Sequence, residues 1–510
     1  MKQTLNTMHR SVPAPFFFGT CSQGKLKVWG DTARFFGHEL PCQHGRTDGI
    51  FAAWAWDGEI LRVRNDRYGL FPLFYYAKGS EIGVSPSIST LIAEGADAEL
   101  NDGSVALFLR LGQFLGNDTP FRHIYCLPPN TSFVWEGVSA RISGGYEHAQ
   151  VDRSVSRSEA VRTYIQLFAD AMRKRLPASG RVAVPLSGGR DSRHILLELC
   201  RTGFTPHVCA TVVHYPEDTL VATLLTKHLG LRHAIIEQGG NFFDAEINKN
   251  ERSSFGVDKG AWPLVLSDFL LNENIDVVYD GIGGDVLSSC SFLTPERDSL
   301  FRKGNISSIV EDLLPNTEGL LTKLLTPARY RRWSRALAKQ RMSEEIANHL
   351  EAHNPVTSFF FWNRTRRKIA LTPFAMLPPA PLTIFAPYLD HDLFDFLASL
   401  PTQIIMDRSL HTDAILSGYP AARNIRFEDK KAPELTFRSQ HAQFARRLGM
   451  EVSFWRGSDW LRTYSLAARL FTSRLNPNFA ASSAWYFRPA VWLLQLESLI
   501  RSSRRIGCDT

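Results

Sequence analysis

The stretch VAVPLSGGRDSRH, residues 182–194, constrains the fold more than any other part of the sequence. An apolar run is followed by two adjacent glycines and then by residues with helical spacing, which predicts a strand, a tight turn and a helix. Glycine lets a ligand approach the backbone because it carries no Cβ. Such a turn, placed at a helix N-terminus, is typical of phosphate binding.

Strands and helices alternate around this turn. A helical pattern, EAVRTYIQLFADAMRKRL, precedes it. The predicted strands are VAVPL, HVCATVVHY, HAIIEQ and DVVYDG, and the helices between them are SRHILLELCRTG and EDTLVATLLTKHLG. This order predicts a parallel sheet with helical crossovers, in which ligands bind at the carboxyl ends of the strands. Beyond about residue 290 the sequence is helical, with proline interruptions.

Residues 1–150 have a different pattern, with short aromatic and β-branched runs between turn signals. The pairs Asp48–Gly49 and Asp57–Gly58 predict hairpin turns. Since 510 residues exceed one typical core, we expect a two-domain α/β protein. An antiparallel β domain spans residues 1–150, and a parallel-sheet domain with extra helices spans residues 157–510.

The first glycine turn carries groups suited to a nucleotide. The hydroxyls of Ser187 and Ser192 can donate to phosphoryl oxygens, and Gly188 and Gly189 leave room for them. Asp191 repels phosphate unless a cation lies between them, which indicates Mg²⁺. The alternative is a tight strand-to-helix turn in which serine caps the helix.

A second glycine turn has the same design. The segment VVYDGIGGDVLSS places Gly281, Gly283 and Gly284 after a predicted strand and then presents Asp285. If the two strands are neighbours, Asp191 and Asp285 can share magnesium.

Composition limits the compartment and the partners. Seven cysteines without a C-x-x-C pair favour reduced thiols and no zinc site. The net charge of +7 is local, and we interpret the basic runs at 329–332 and 364–368 as solvated helix faces, so no nucleic-acid partner is expected. No signal peptide or long apolar segment is visible, so we expect a cytoplasmic protein without a membrane partner.

These motifs resemble the asparagine synthetase family of ATP pyrophosphatases, whose pyrophosphate loop S-G-G-x-D-S matches residues 187–192. The segments DGIFAAWAWD, RNDRYGLFPLFYY and TPFRHIYCLPPNTSFVWE resemble its glutaminase-like domain, and TIFAPYLDHDLFDFLASLP resembles a later motif. The resemblance implies an N-terminal Ntn-type antiparallel β sandwich and a C-terminal ATP pyrophosphatase domain of the adenine nucleotide α-hydrolase type.

The resemblance also implies a reaction with ATP and Mg²⁺ as cofactors. A substrate carboxylate is adenylated with release of pyrophosphate, and an amine then displaces AMP. Asp191 and Asp285 would hold the metal. Asp285 would also be catalytic, together with a lysine. That lysine is Lys430 or Lys431, because a single gap in the match to the family motif would exchange the two. The residues implied to bind the nucleotide are Leu186, Ser187, Gly188, Gly189, Asp191, Ser192, Val212, Gly281 and Gly283.

Two positions depart from the family pattern. Lys2 stands where glutamine-dependent relatives carry cysteine, which makes glutamine hydrolysis unlikely. Ile282 stands where asparagine synthetases carry glutamate, so asparagine synthesis is doubtful and the base stays open between Asp280, Glu217 and water. His194, beside the first loop, is interpreted as a packing or nucleotide-contact residue.

Two cysteine-less branches, the lasso peptide macrolactam cyclases and the β-lactam synthetases, close rings. We therefore expect an amide synthetase that joins a carboxylate and an amine of one peptide or small-molecule substrate, with lasso peptide cyclisation favoured and a leader peptidase as partner protein. The alternatives are an ammonia-dependent asparagine-synthetase-like enzyme, a β-lactam-synthetase-like enzyme, or a catalytically idle nucleotide-binding regulatory protein.

Overall fold

A computed structural model describes residues 14–41, 47–147, 154–239, 241–258, 261–378, 382–428, 438–454 and 458–506. Its fifteen described strands form three five-stranded sheets. The strands are β1 (Phe17–Ser22), β2 (Lys25–Gly30), β3 (Ala33–Leu40), β4 (Asp48–Trp56), β5 (Leu61–Asn65), β6 (Phe74–Lys78), β7 (Glu81–Ser85), β8 (Ile124–Cys126), β9 (Ser132–Trp135), β10 (Ala140–Ser143), β11 (Val182–Pro185), β12 (Val208–Val212), β13 (His233–Ile236), β14 (Val277–Tyr279) and β15 (Thr383–Phe385).

Helices occupy most of the remaining described chain. The α-helices are α1 (Ile88–Ala93), α2 (Asp102–Leu111), α3 (Arg157–Arg173), α4 (Asp191–Arg201), α5 (Pro216–Leu229), α6 (Phe242–Arg252), α7 (Pro263–Asn272), α8 (Gly284–Leu287), α9 (Pro295–Arg302), α10 (Ile306–Leu313), α11 (Glu318–Leu324), α12 (Pro327–Arg332), α13 (Arg335–Ala347), α14 (Pro355–Phe359), α15 (His391–Ser399), α16 (Thr402–Ile405), α17 (Leu410–Gly418), α18 (Arg438–Phe454), α19 (Thr463–Leu475), α20 (Pro477–Ser482) and α21 (Ala484–Ile506). Wider π-helical turns span Phe360–Ile369 and Thr372–Met376, and 3-10 turns span Pro387–Leu389 and Pro420–Ala422. Among the described residues, no helix has both the length and the apolar character needed to span a bilayer.

The N-terminal half is a sandwich of two antiparallel sheets, with strand orders β2-β1-β7-β6-β8 and β10-β9-β5-β4-β3. Buried aromatic residues such as Trp54 and Phe133 fill the space between the sheets. The sheets approach so closely that a Cβ at Gly19 would lie 2.5 Å from the ring of Trp135. The antiparallel β prediction is confirmed, whereas the likeness to Ntn glutaminases stays a prediction.

The two predicted Asp-Gly hairpins have different outcomes. Asp57 and Gly58 connect β4 to β5, and Gly58 has a φ of 108°, which confirms that turn. Asp48 and Gly49 instead begin β4, where Asp48 pairs with Leu40 of β3, so β3 and β4 form an antiparallel pair but the turn predicted at Asp48–Gly49 is wrong. The physical reason is tertiary, since a carboxylate oxygen of Asp48 accepts a 2.6 Å hydrogen bond from a buried arginine of the other half, Arg175.

The C-terminal half contains the predicted parallel sheet, in the order β13-β12-β11-β14-β15. All four predicted strands are present, and β15 is a fifth strand that the sequence analysis did not predict. The chain runs outward from β11 through β12 to β13 and then returns to the other side of β11 as β14. The switch point of the sheet therefore lies between β11 and β14, where open α/β sheets bind ligands.

The basic run at 364–368 is not the solvated helix face that the sequence suggested. Arg366 and Arg367 are buried within the π-helical segment Phe360–Ile369. Guanidinium nitrogens of Arg366 donate to the carbonyl oxygens of Gly116 and Leu127 at 3.0 and 2.6 Å. Because both acceptors belong to the N-terminal half, this segment joins the two halves.

Candidate active site

The two glycine turns meet at the switch point of the parallel sheet. Asp191 begins α4 after β11, and Asp285 lies in the first turn of α8 after β14. A Cβ at Gly281 would lie 2.8 Å from Cβ of Asp191, and one at Gly284 would lie 2.7 Å from its Cγ. Any side chain at either glycine would displace Asp191, so the glycines are what allow the two acidic turns to touch.

Internal hydrogen bonds hold the first turn in shape. The amide of Ser187 donates to Oγ of Ser192 at 3.1 Å, and the amide of Gly189 donates to Oγ of Ser187 at 3.2 Å. The amide of Gly188 donates to a carboxylate oxygen of Asp218, at the start of α5, at 2.9 Å. A phosphate oxygen can accept from Gly188 only by replacing that carboxylate.

A cavity of ≈ 820 Å³ opens beside these turns. The sequence-predicted residues that line it are Leu186, Ser187, Asp191, Ser192, Val212, Gly281 and Asp285. Both acids therefore border one space, although each comes from a different segment of the chain. This volume falls within the range of about 300–1,000 Å³ usual for small-molecule pockets.

Three predicted nucleotide contacts do not line the cavity. Gly188 and Gly189 lie against Glu428, and a Cβ at Gly188 would be 2.9 Å from Cβ of that glutamate. Gly283 instead faces Leu389, with a φ of 90° that suits glycine. These glycines shape the turns in this conformation and do not form the cavity surface.

The predicted catalytic lysines, Lys430 and Lys431, lie outside the described residues. The segment immediately before them covers the first turn, since the amide of Glu428 donates to the carbonyl oxygen of Gly188 at 3.0 Å. Glu428, the last described residue before the lysines, therefore lies beside the first turn.

The two acids have different partners. Oδ2 of Asp285 lies 2.7 Å from a guanidinium nitrogen of Arg364, which balances its charge. Oδ1 of Asp191 lies 3.4 Å from Nδ1 of His411, whose pKa burial lowers to about 3, so this partner is neutral. Carboxylate oxygens are the ligands that Mg²⁺ prefers, and Asp191 and Asp285, which border one cavity, fit such an ion.

The other residues that the sequence singled out differ in whether they border the cavity. Asp280 borders the cavity and Ile282 is buried there, whereas Glu217 is ion-paired with Arg426. His194 is fully buried and stacks on Phe168 at 3.7 Å between ring centroids, so it is a packing residue.

Sequence reasoning missed the distal part of the cavity wall, by which we mean the part formed by helices and not by the two glycine turns. This part includes Phe242, Glu246, Trp262, His441, Phe444 and Arg488. Glu246 forms a buried ion pair with Lys249, and its Oε2 lies 3.9 Å from Nε of Arg488. These residues come from α6, α18, α21 and the start of α7, and no local motif signals that they converge.

Comparison with known proteins identifies part of this architecture. Residues 163–410, which include both acidic turns and β11 to β15, match the family model described as asparagine synthase. No curated protein matches the chain.

Three solved structures have low similarity to the chain. The NMN synthetase from Francisella tularensis is 12% identical over 42% of this chain and 97% of its own, with a TM-score of 0.22. The U34-tRNA thiolase from Methanococcus maripaludis is 12% identical over 62% of this chain and 79% of its own, with a TM-score of 0.23. Glutamine phosphoribosylpyrophosphate amidotransferase from B. subtilis is 9% identical over 39% of this chain and 50% of its own, with a TM-score of 0.14.

Proposed function

Because residues 163–410 match the asparagine synthase family model, we propose that the protein is an ATP-dependent, AMP-forming amide synthetase. The observation that carries the proposal is the convergence of Asp191 and Asp285 on one cavity at the switch point of the parallel sheet. A family motif alone could survive in an inactive relative, but two acids that border one ligand-sized space provide the groups that the chemistry needs.

The proposed reaction has two steps. An oxygen of the substrate carboxylate attacks the α-phosphorus of ATP, and the bond to pyrophosphate breaks. The substrate amine then attacks the acyl carbon, AMP leaves with the electron pair of the broken bond, and the amine proton passes to a base or to water. Asp191 and Asp285 would hold Mg²⁺, which would neutralise charge on the departing pyrophosphate.

The residues of the chain have separate roles in this proposal. Asp191 and Asp285 hold the metal, while Ser187 and Ser192 donate hydrogen bonds to phosphoryl oxygens. Either Lys430 or Lys431 contributes the cation that stabilises charge in the transition state. Asp280 is better placed as the base than Glu217, because only Asp280 of the two borders the cavity.

We further propose that carboxylate and amine belong to one peptide, which makes the reaction a macrolactam cyclisation of the lasso type. Two features support a peptide substrate. The cavity extends beyond the acidic turns to an aromatic and basic wall that includes Phe242, Trp262 and Arg488. Ile282, in the position of the family glutamate, offers no charge to hold the ammonium group of a free amino acid. A leader peptidase would then supply the free peptide.

A panel of synthetic linear peptides tests the function. Each peptide has a free α-amine and one Asp or Glu side chain, and is incubated with the full chain, ATP and Mg²⁺. We expect some members to lose one water, with one AMP released per ring, as measured by mass spectrometry and nucleotide chromatography. Asp191→Ala and Asp285→Asn should lower the rate at least about 100-fold, since each removes a metal ligand. Asp170→Ala, which removes a surface carboxylate paired with Arg173, is the matched control.

The same assay separates the alternatives. N-acetylated peptides with added ammonium would become open-chain amides if the enzyme uses ammonia. If neither the peptides nor small amino acids lead to release of AMP, the ring-forming proposal is contradicted. That result would favour the alternative of an idle nucleotide-binding protein.

A further inference from the structure

A buried hydrogen-bond network lies beneath the carboxylate of Asp191. His411, at the start of α17, places Nδ1 3.4 Å from Oδ1 of Asp191 and 3.2 Å from Oγ of Ser289. Its Nε2 lies 3.2 Å from Nδ1 of His194 and 3.2 Å from the hydroxyl of Tyr388. Both histidine side chains are fully buried, so water does not compete for these contacts.

Only one of the two facing nitrogens, Nδ1 of His194 and Nε2 of His411, carries a proton, because two N–H groups cannot share a 3.2 Å contact. An imidazole carries at least one ring proton, so a ring whose facing nitrogen accepts has its proton on the other nitrogen.

The surroundings of His194 select its tautomer. Within the described part of the chain, its Nε2 is buried and has no hydrogen-bond partner. A buried N–H without an acceptor is rarer in proteins than an unpaired acceptor, so the proton lies on Nδ1. Stacking on Phe168 fixes the ring plane and directs this Nδ1–H to Nε2 of His411.

The tautomer of His411 follows from that of His194. Since Nε2 of His411 accepts, its proton lies on Nδ1, which faces Asp191 and Ser289. The opposite tautomer would leave an unpaired N–H on His194 and would place a nitrogen lone pair, which only the Ser289 hydroxyl could satisfy, 3.4 Å from Oδ1 of Asp191. Both effects disfavour it in a buried site.

We propose that His411 is a positioning residue for the cation site, with Nδ1–H held against the carboxylate of Asp191 through a relay from His194. The inference rests on the proposed function in one respect, namely that Asp191 holds Mg²⁺. Outer partners of this kind orient metal ligands, and their removal typically costs about 10–100-fold in metal affinity.

Calorimetry with the full chain and α,β-methylene ATP, titrated at a series of Mg²⁺ concentrations, tests the proposal. For His411→Leu we expect the Mg²⁺ concentration that gives half-maximal nucleotide binding to rise about tenfold or more. His411→Asn keeps an N–H donor near the position of Nδ1 and should restore a value close to wild type. His228→Leu, a histidine of α5 away from the cavity, is the control.

The outcomes distinguish this inference from the proposed function. Mg²⁺-dependent binding in wild type with an unchanged midpoint in His411→Leu would overturn the positioning role alone. Binding in wild type that does not depend on Mg²⁺ would overturn the cation site and, with it, the proposed function.

A spectroscopic measurement tests the tautomer without nucleotide. In the ¹⁵N spectrum of the histidine-labelled full chain, the His411 signals are those missing from His411→Asn. We expect a protonated Nδ1 and an unprotonated Nε2 at neutral pH. A proton on Nε2 would overturn the relay even if nucleotide binding is normal.

Discussion

At the scale of a residue, Asp280 shows how burial changes a carboxyl group that the sequence could only name as a candidate. It follows β14 directly, and its Oδ1 accepts a 2.8 Å hydrogen bond from the amide of Ile282. Desolvation raises its pKa to about 6, and this one hydrogen bond only partly opposes the shift. A carboxyl group with a pKa near the working pH suits proton transfer.

Asp280→Asn tests this shift through stability. The pKa of Asp280 is about 6 in the folded chain and about 3.8 in the unfolded chain, so the folded state binds the proton more tightly. The ionised carboxylate therefore lowers the free energy of unfolding, by its full amount above about pH 6. This penalty disappears as the pH falls below about 3.8. Asparagine removes the charge and keeps an oxygen acceptor.

We expect Asp280→Asn to raise the free energy of unfolding at pH 7.5 by up to about 3 kcal/mol, since one pKa unit corresponds to about 1.4 kcal/mol. The gain should shrink at pH 4. Urea unfolding in EDTA at both pH values measures it, and an equal effect at the two pH values would contradict the prediction.

At the scale of an element, the segment Phe360–Ile369 connects the N-terminal half to the active site. Arg364 pairs with Asp285 on the cavity, while Arg366 is buried against the other half. The guanidinium of Arg366 donates to Oδ1 of Asn117 at 3.0 Å as well as to backbone carbonyl oxygens. Sequence composition showed a basic run, but only the neighbouring elements decide which of its cations are solvated.

Arg366→Met measures the strength of this connection. Methionine fills similar space but leaves buried carbonyl oxygens without donors, so we expect a loss of about 3–5 kcal/mol in the free energy of unfolding. Arg34→Met removes an exposed ion pair with Asp31 and should cost less than about 1 kcal/mol. Urea unfolding followed by circular dichroism compares them, and similar losses in both variants would count against the anchoring role.

At the scale of the whole molecule, a buried charge cluster joins the two halves. Arg175, just after α3, donates to Oδ2 of Asp48 in β4 at 2.6 Å and to Oδ2 of Asp390 at 2.9 Å. All three side chains are buried. The N-terminal sandwich is therefore docked through interactions that water does not screen, and the two halves should unfold together.

Arg175→Met should uncouple that unfolding, because Asp48 then stays buried without its guanidinium partner and Asp390 keeps only the partly exposed Lys174. We expect two separate transitions in place of one when tryptophan fluorescence and circular dichroism are followed in urea. Arg173→Met, at the exposed last residue of α3 and paired with Asp170, is the matched control. A single, coincident transition in Arg175→Met would show that the cluster does not couple the halves.

The sequence by itself determined the local elements and their order. Periodicity, glycine turns and β-branched runs are local properties, so the four parallel strands, the helices between them and the antiparallel N-terminal half were predictable. The same holds for Asp191 and Asp285, because each directly follows a strand and a glycine turn.

Only the tertiary structure decided what depends on contacts between distant segments. It moved Asp48 from a predicted turn into β4, buried Arg366, and assembled the distal cavity wall from several helices. It also placed His411 beneath Asp191, although no motif connects the two. Burial and partner choice are set by the whole surrounding fold, and one linear pattern does not contain that information.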